Sequence, residues 1–107
     1  MTTFDEREKS YERKFQQDEE LAFKIKARRR HLLGLWAAQR LGLGPVEAEA
    51  YAHAIAESGL THHGDDDAVE RIVTDLAAKG VALDAAQVRL ELARCDRDAK
   101  AQLGAAS

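Results

Sequence analysis

LLGLWAAQRLGLGP, Leu32 to Pro45, has apolar residues on every side of a helix for its first ten positions and then stops abruptly. A surface helix keeps one side polar, so a helix that is apolar all round is enclosed by neighbours. Gly34, Ala37 and Ala38 let another helix approach closely, while Trp36 and the leucines fill volume. Gly42-Leu43-Gly44-Pro45 then ends the element. Glycine supplies a left-handed C-terminal cap, and proline suits the first turn of the next helix, where its missing N–H is not needed. The stretch therefore reads as the central helix of a bundle.

Three shorter helices are expected downstream. One runs from Pro45 to about Ser58 with Gly59 as its stop, and Val46, Ala50, Tyr51, Ala54 and Ile55 lie along one face. A second opens at Asp65 to Asp67 and ends at Gly80, with Val69, Ile72, Val73 and Leu76 at helical spacing. A third opens at Asp84, with Gln87 three residues on as a capping-box partner, and puts Val88, Leu92, Cys95, Ala99 and Leu103 on one side. Leu, Ala, Glu, Arg and Lys dominate the 107 residues, and there is a single proline. The fold class is all-α, a four-helix bundle.

Upstream, no proline or turn dipeptide interrupts Phe4 to Leu41, and Phe23, Ala27, Gly34, Ala37 and Leu41 form a stripe. Before Leu21 the only large apolar residues after Met1 are Phe4, Tyr11 and Phe15, too few to hold a helix onto a bundle. Short isolated helices are marginal in water. Residues 1–18 are thus expected to be a disordered or transiently helical arm, and residues 19–104 the bundle. Helix formation in the arm is supported by opposite charges three or four apart: Asp5 and Lys9, Lys9 and Glu12, Lys14 and Asp18, Glu20 and Lys24. Phe4, Tyr11 and Phe15 then fall on one side as an aromatic seam. Either a partner orders the arm around those rings, or the rings fold back on the bundle or pair with a second copy. Charge also divides the chain. Met1 to Leu41 holds ten basic and seven acidic residues, and the remainder six and twelve. The first part therefore faces something that the rest does not.

Other features have plainer readings. Lys24, Lys26, Arg28, Arg29, Arg30 and His31 fan around a helix and read as a solvated collar whose stems cover the bundle edge. Within that run Lys24, Arg28 and His31 share a face fit for a phosphate or an acidic group. The acidic whole, with a net charge of −3, and the lack of a groove-reading motif argue against nucleic acid. His62-His63-Gly64-Asp65-Asp66-Asp67 matches neither a zinc nor a calcium spacing and reads as a polar turn before a helix, so no metal and no cofactor is expected. Cys95 reads as a small core residue, and one cysteine forms no internal disulfide. No catalytic constellation is recognisable, so no enzyme is expected. No apolar run reaches the roughly 18 residues of a membrane span, and a soluble cytoplasmic protein is expected.

Phe4 to Gly42 carries FDEREK, KFQQDEE (Lys14 to Glu20), Phe23-Lys24, Ala27-Arg28-Arg29 and LLGLWAA (Leu32 to Ala38). This string resembles the start of the zeta subunit of alphaproteobacterial F-type ATP synthases, an ATPase inhibitor family. It departs from that pattern at Ser10-Tyr11 and Arg30-His31, changes that keep the helical phase. The resemblance implies a four-helix bundle whose arm becomes helical on entering the catalytic α/β subunit interface, where it contacts the central rotor stalk and blocks ATP hydrolysis. It places the protein at the inner membrane's periphery through the ATP synthase. Phe4, Tyr11 and Phe15 would be the wedge, and Arg7, Lys9, Arg13 and Lys14 would set register by complementary charge. The alternative is a small helical module that binds an adenine nucleotide weakly through Lys24, Arg28 and His31.

Overall fold

Several helix ends of this chain carry a distinct chemical signal. In the computed structural model, α1 spans Thr3–Arg40, α2 Pro45–Ser58, α3 Asp65–Ala78 and α4 Ala85–Gln102. The structure describes residues 3–60 and 63–104, and side chains from residue 18 onward within those ranges. Among the described residues there is no strand.

The C-terminus of α1 closes as the sequence requires. Gly42 has φ of 75°, the Leu43 N–H donates to the Ala38 carbonyl at 3.1 Å, and the Gly42 N–H donates to that of Gln39 at 3.1 Å. Those bonds satisfy carbonyls that the helix end would otherwise strand. Pro45 occupies the first turn of α2. Asp84 caps α4 reciprocally: its carboxylate accepts from the Gln87 N–H at 2.8 Å, and the Gln87 side chain accepts from the Asp84 N–H at 3.0 Å.

α1 is the strut around which the others pack. Leu33 and Ala37 of α1, Ile55 of α2, Val69, Ile72 and Leu76 of α3, and Val88, Leu92 and Cys95 of α4 form one buried cluster. The α3 and α4 faces expected from spacing are the faces that bury. α2 is rotated from its expected face. Val46 is 84% exposed and Ala50 is exposed, while Ala52 and Ile55 are fully buried. The cause lies on α1. Gly34 has no side chain, and a Cβ built there would sit 2.6 Å from the Ala52 Cα, so α2 meets α1 backbone to backbone at Ala52. Once Ala52 is the contact, Ala48, Tyr51 and Ile55 turn inward, and Tyr51 donates to Asp75 of α3 at 2.7 Å.

Phe23 also departs from expectation. It shares the register of the packed α1 stripe, yet it is 61% exposed. The covering helices end before reaching it. Of the described positions from Asp18 to Lys24 none is buried, and Ile25 is the first buried residue among the described side chains of α1. Residues 3–24 therefore continue α1 past the bundle as a rod of about 33 Å at 1.5 Å per residue. The whole measures 66 × 26 × 22 Å.

Candidate functional site

The residues singled out from the sequence lie on the outer part of α1 and at its root. Phe4, Arg7, Lys9, Tyr11, Arg13, Lys14 and Phe15 all lie on the helical backbone of α1, and their side chains are outside the described residues.

At the root the structure brings together Lys24, Arg28 and His31, one helical turn apart. They line an open groove of about 430 Å³ with Phe23 and Ala27 of α1, His53 and Ala56 of α2, and Leu103. Its floor is apolar and its rim nitrogenous. Arg28 Nε donates to the Gln102 side chain at 2.7 Å, and His31 Nε2 lies 3.2 Å from Glu49. His53 pairs with Glu57 one turn along α2 at 2.9 Å. Two nitrogens on the groove thus already face carboxylates, which lowers its net positive character. Phe23, His53 and Leu103 were not singled out in the sequence as parts of such a groove, because a surface that joins two helices to the end of a third has no local spacing.

Arg29 and Arg30 correct the reading of the basic run as a solvated collar. Arg29 reaches Asp65 at 2.6 Å and Asp96 at 3.1 Å. Arg30 Nε donates to the same Asp65 at 3.1 Å, and the residue is only 7% exposed. Its side chain lies over Gly59, where a Cβ would meet the Arg30 Cδ at 2.1 Å. The two arginines therefore tie the root of the rod to the start of α3 and to α4. Burial works against the Arg29 charge, but Asp65 and Asp96 outweigh it and hold the guanidinium above its ordinary pKa. A hydrogen bond from Lys100, aided by Arg29 and opposed by partial burial, holds the Asp96 carboxyl below the usual carboxylate value. Asp65 was visible in sequence only as a helix-opening acid; its arginine partners are 35 and 36 residues away.

This tie carries a measurable share of stability. Asp65→Asn leaves the Arg30 charge, whose side chain is 8% exposed, without its counterion. The loss is expected to be about 2 kcal/mol, less than for a fully buried pair because Asp65 is partly solvated. Asp66→Asn removes only the surface pair to Arg89, at 2.7 Å, and is expected to cost less than about 1 kcal/mol. Urea titrations of the two variants check the difference, and equal midpoints would reduce the tie to a surface decoration.

The remaining candidates are committed elsewhere. Asp65 and Asp66 of the His62–Asp67 run hold arginines, and His62 lies outside the described residues. Cys95 is 2% exposed in the core, and burial pushes its thiol up to about 11, so little thiolate forms near neutrality. No helix among the described residues is long and apolar enough to cross a membrane.

Residues 1–102 match a family model described as ATPase inhibitor subunit zeta. No curated protein and no solved structure matches the chain.

Proposed function

The chain belongs to the ATPase inhibitor subunit zeta family, and on that premise we propose that it inhibits ATP hydrolysis by an F-type ATP synthase through its N-terminal arm. The observation that carries this reading is the shape of α1. One helix forms the centre of the bundle and continues past it, and no position between Asp18 and Lys24 is buried by the chain's own residues. In this reading the arm enters the catalytic α/β subunit interface and contacts the rotor stalk. Phe4, Tyr11 and Phe15 enter as the wedge, since aromatic anchors in desolvated pockets dominate interface energetics. Arg7, Lys9, Arg13 and Lys14 set register against acidic partner groups. Rotation in the hydrolysing direction is blocked more than rotation in the synthesising one. The protein then acts as a regulator, held at the membrane periphery by its partner. The test is an ATP hydrolysis assay of the isolated catalytic sector with the intact and the arm-deleted chain.

A second reading rests on the groove at the root. An exposed Phe23 ring beside Lys24, Arg28 and His31 offers a stacking face next to phosphate-binding groups, which suits weak binding of an adenine nucleotide. On titration with ATP or ADP to millimolar levels, amide shifts are expected to saturate and to centre on residues 23–31 and His53. Shifts that spread over the chain without saturating would remove this reading. The two functions are compatible, because the groove lies on the bundle and the wedge on the arm.

A further inference from the structure

The helical phase of α1 says which side of the arm a partner covers, an inference that rests on the inhibitory reading above. Phe4, Tyr11, Phe15, Ala22, Arg29 and Leu33 follow one another along α1 at steps of seven or four residues, spacings that keep to one side of a helix. The inner part of this line is covered by the chain itself. Leu33 is fully buried, and Arg29 is held by Asp65 of α3 and Asp96 of α4. Ala22, the outermost position on the line whose side chain is described, is exposed. α2 lies elsewhere around α1, meeting it at Gly34 and His31. α3 begins at Asp65, beside Arg29, and α4 ends at Gln102, beside Arg28, so neither helix follows the line outward.

We infer that the partner element receiving the arm lies along the side of α1 that faces α3 and α4, prolonging the lane those two helices leave vacant, and that the α2 side of α1 stays uncovered. Charge along the line describes that element further. In helical register Arg7 and Lys14 fall on one edge of the seam, and Glu8, Glu12 and Glu19 on the other. The occupant is therefore an apolar-faced segment of the partner with acidic residues toward the first edge and basic residues toward the second. A second copy of this chain is the competing occupant.

Two exposed positions near the root separate the alternatives without touching the rings. Ala22 lies on the line, and Glu20 lies on the opposite side of α1. Arginine is a good helix former, so neither substitution breaks the rod, although Glu20→Arg gives up the Glu20–Lys24 pair. In hydrolysis titrations of the isolated catalytic sector with full-length chains, Ala22→Arg is expected to weaken inhibition by about tenfold or more, and Glu20→Arg by less than about threefold. Equal effects, or a larger one from Glu20→Arg, overturn the assignment of the side while leaving the inhibitory function standing. If Ala22→Arg acts only by dissolving a self-dimer seen in sedimentation, the occupant is a second copy and the inference falls. If the unaltered chain does not inhibit at all, the function proposed above falls first and this inference with it.

Discussion

Deleting residues 2–18 is expected to abolish inhibition of ATP hydrolysis and to leave the bundle folded. The expectation follows from where the contacts are. Among the described residues every buried side chain on α1 lies at Ile25 or beyond, and the core cluster draws on α1 only from Leu32 inward. Removing the outer rod takes away pairs of charges along one helix, each contributing a few tenths of a kcal/mol, and no described core contact. The unfolding midpoint should therefore move by less than about 1 kcal/mol equivalent. Inhibition should fall beyond measurement, because the three rings leave together. Replacing Phe4, Tyr11 and Phe15 by alanine in the full-length chain separates the rings from the rod's length. Each truncation of a well-packed aromatic anchor costs about 2 kcal/mol or more, so the triple variant should weaken inhibition by at least about a hundredfold even with strong non-additivity. A deleted chain that inhibits as well as the intact one would remove the arm from the mechanism.

The largest effect on folding is expected at Gly34. Alanine in place of a helical glycine normally stabilises by about 1 kcal/mol. Here the added Cβ would lie 2.6 Å from the Ala52 Cα and 3.2 Å from the Ile55 Cβ, and a backbone atom cannot swing aside. α2 would have to retreat along its whole contact, opening gaps around Ile55. Gly34→Ala is expected to destabilise by about 2 kcal/mol and Gly34→Val by about 3 or more, the range for an overpacked core. For a domain of this size each kcal/mol shifts the melting temperature by about 4 to 8 °C. A second-site change Ala52→Gly should restore little, because the clash is with the Cα and survives loss of the methyl. Calorimetric melts of the three chains check this, and full recovery in the double variant would show that the crossing is set by side chains.

The sequence reached most of the architecture and less of the site, for identifiable reasons. Helix boundaries depend on local chemistry, so Gly42, Pro45, Gly59, Asp84 and Gln87 declared them without reference to the rest of the chain. The buried faces of α3 and α4 were legible because Val69, Ile72 and Leu76, and Val88, Leu92 and Cys95, recur at helical spacing, which outweighs the off-face Leu90, 74% exposed. α2 has five alanines among its fourteen residues, at every second position, and such a pattern gives little phase information. Its true orientation depends on a glycine in another helix. Arg29 and Arg30 were misread for a related reason. A helical wheel shows three successive arginines diverging, but it contains no knowledge of Asp65, brought alongside only by the α2–α3 turn. The groove at Lys24, Arg28 and His31 was half legible, since their shared face is a property of one helix, whereas His53 and Leu103 arrive by tertiary packing. Phe23 was assigned inward because phase cannot tell where the neighbouring helices end.

The absence of any joint between arm and bundle has a mechanical corollary. Since α1 passes without a break from a slender rod into a body 26 Å by 22 Å across, the thick part acts as a shoulder. A crevice wide enough for one helix admits the tip and stops the rest at about 33 Å, the length of helix that 22 residues give. Insertion depth would then be a fixed dimension of the molecule, shortened or lengthened by 1.5 Å for each residue removed from or added to the exposed portion.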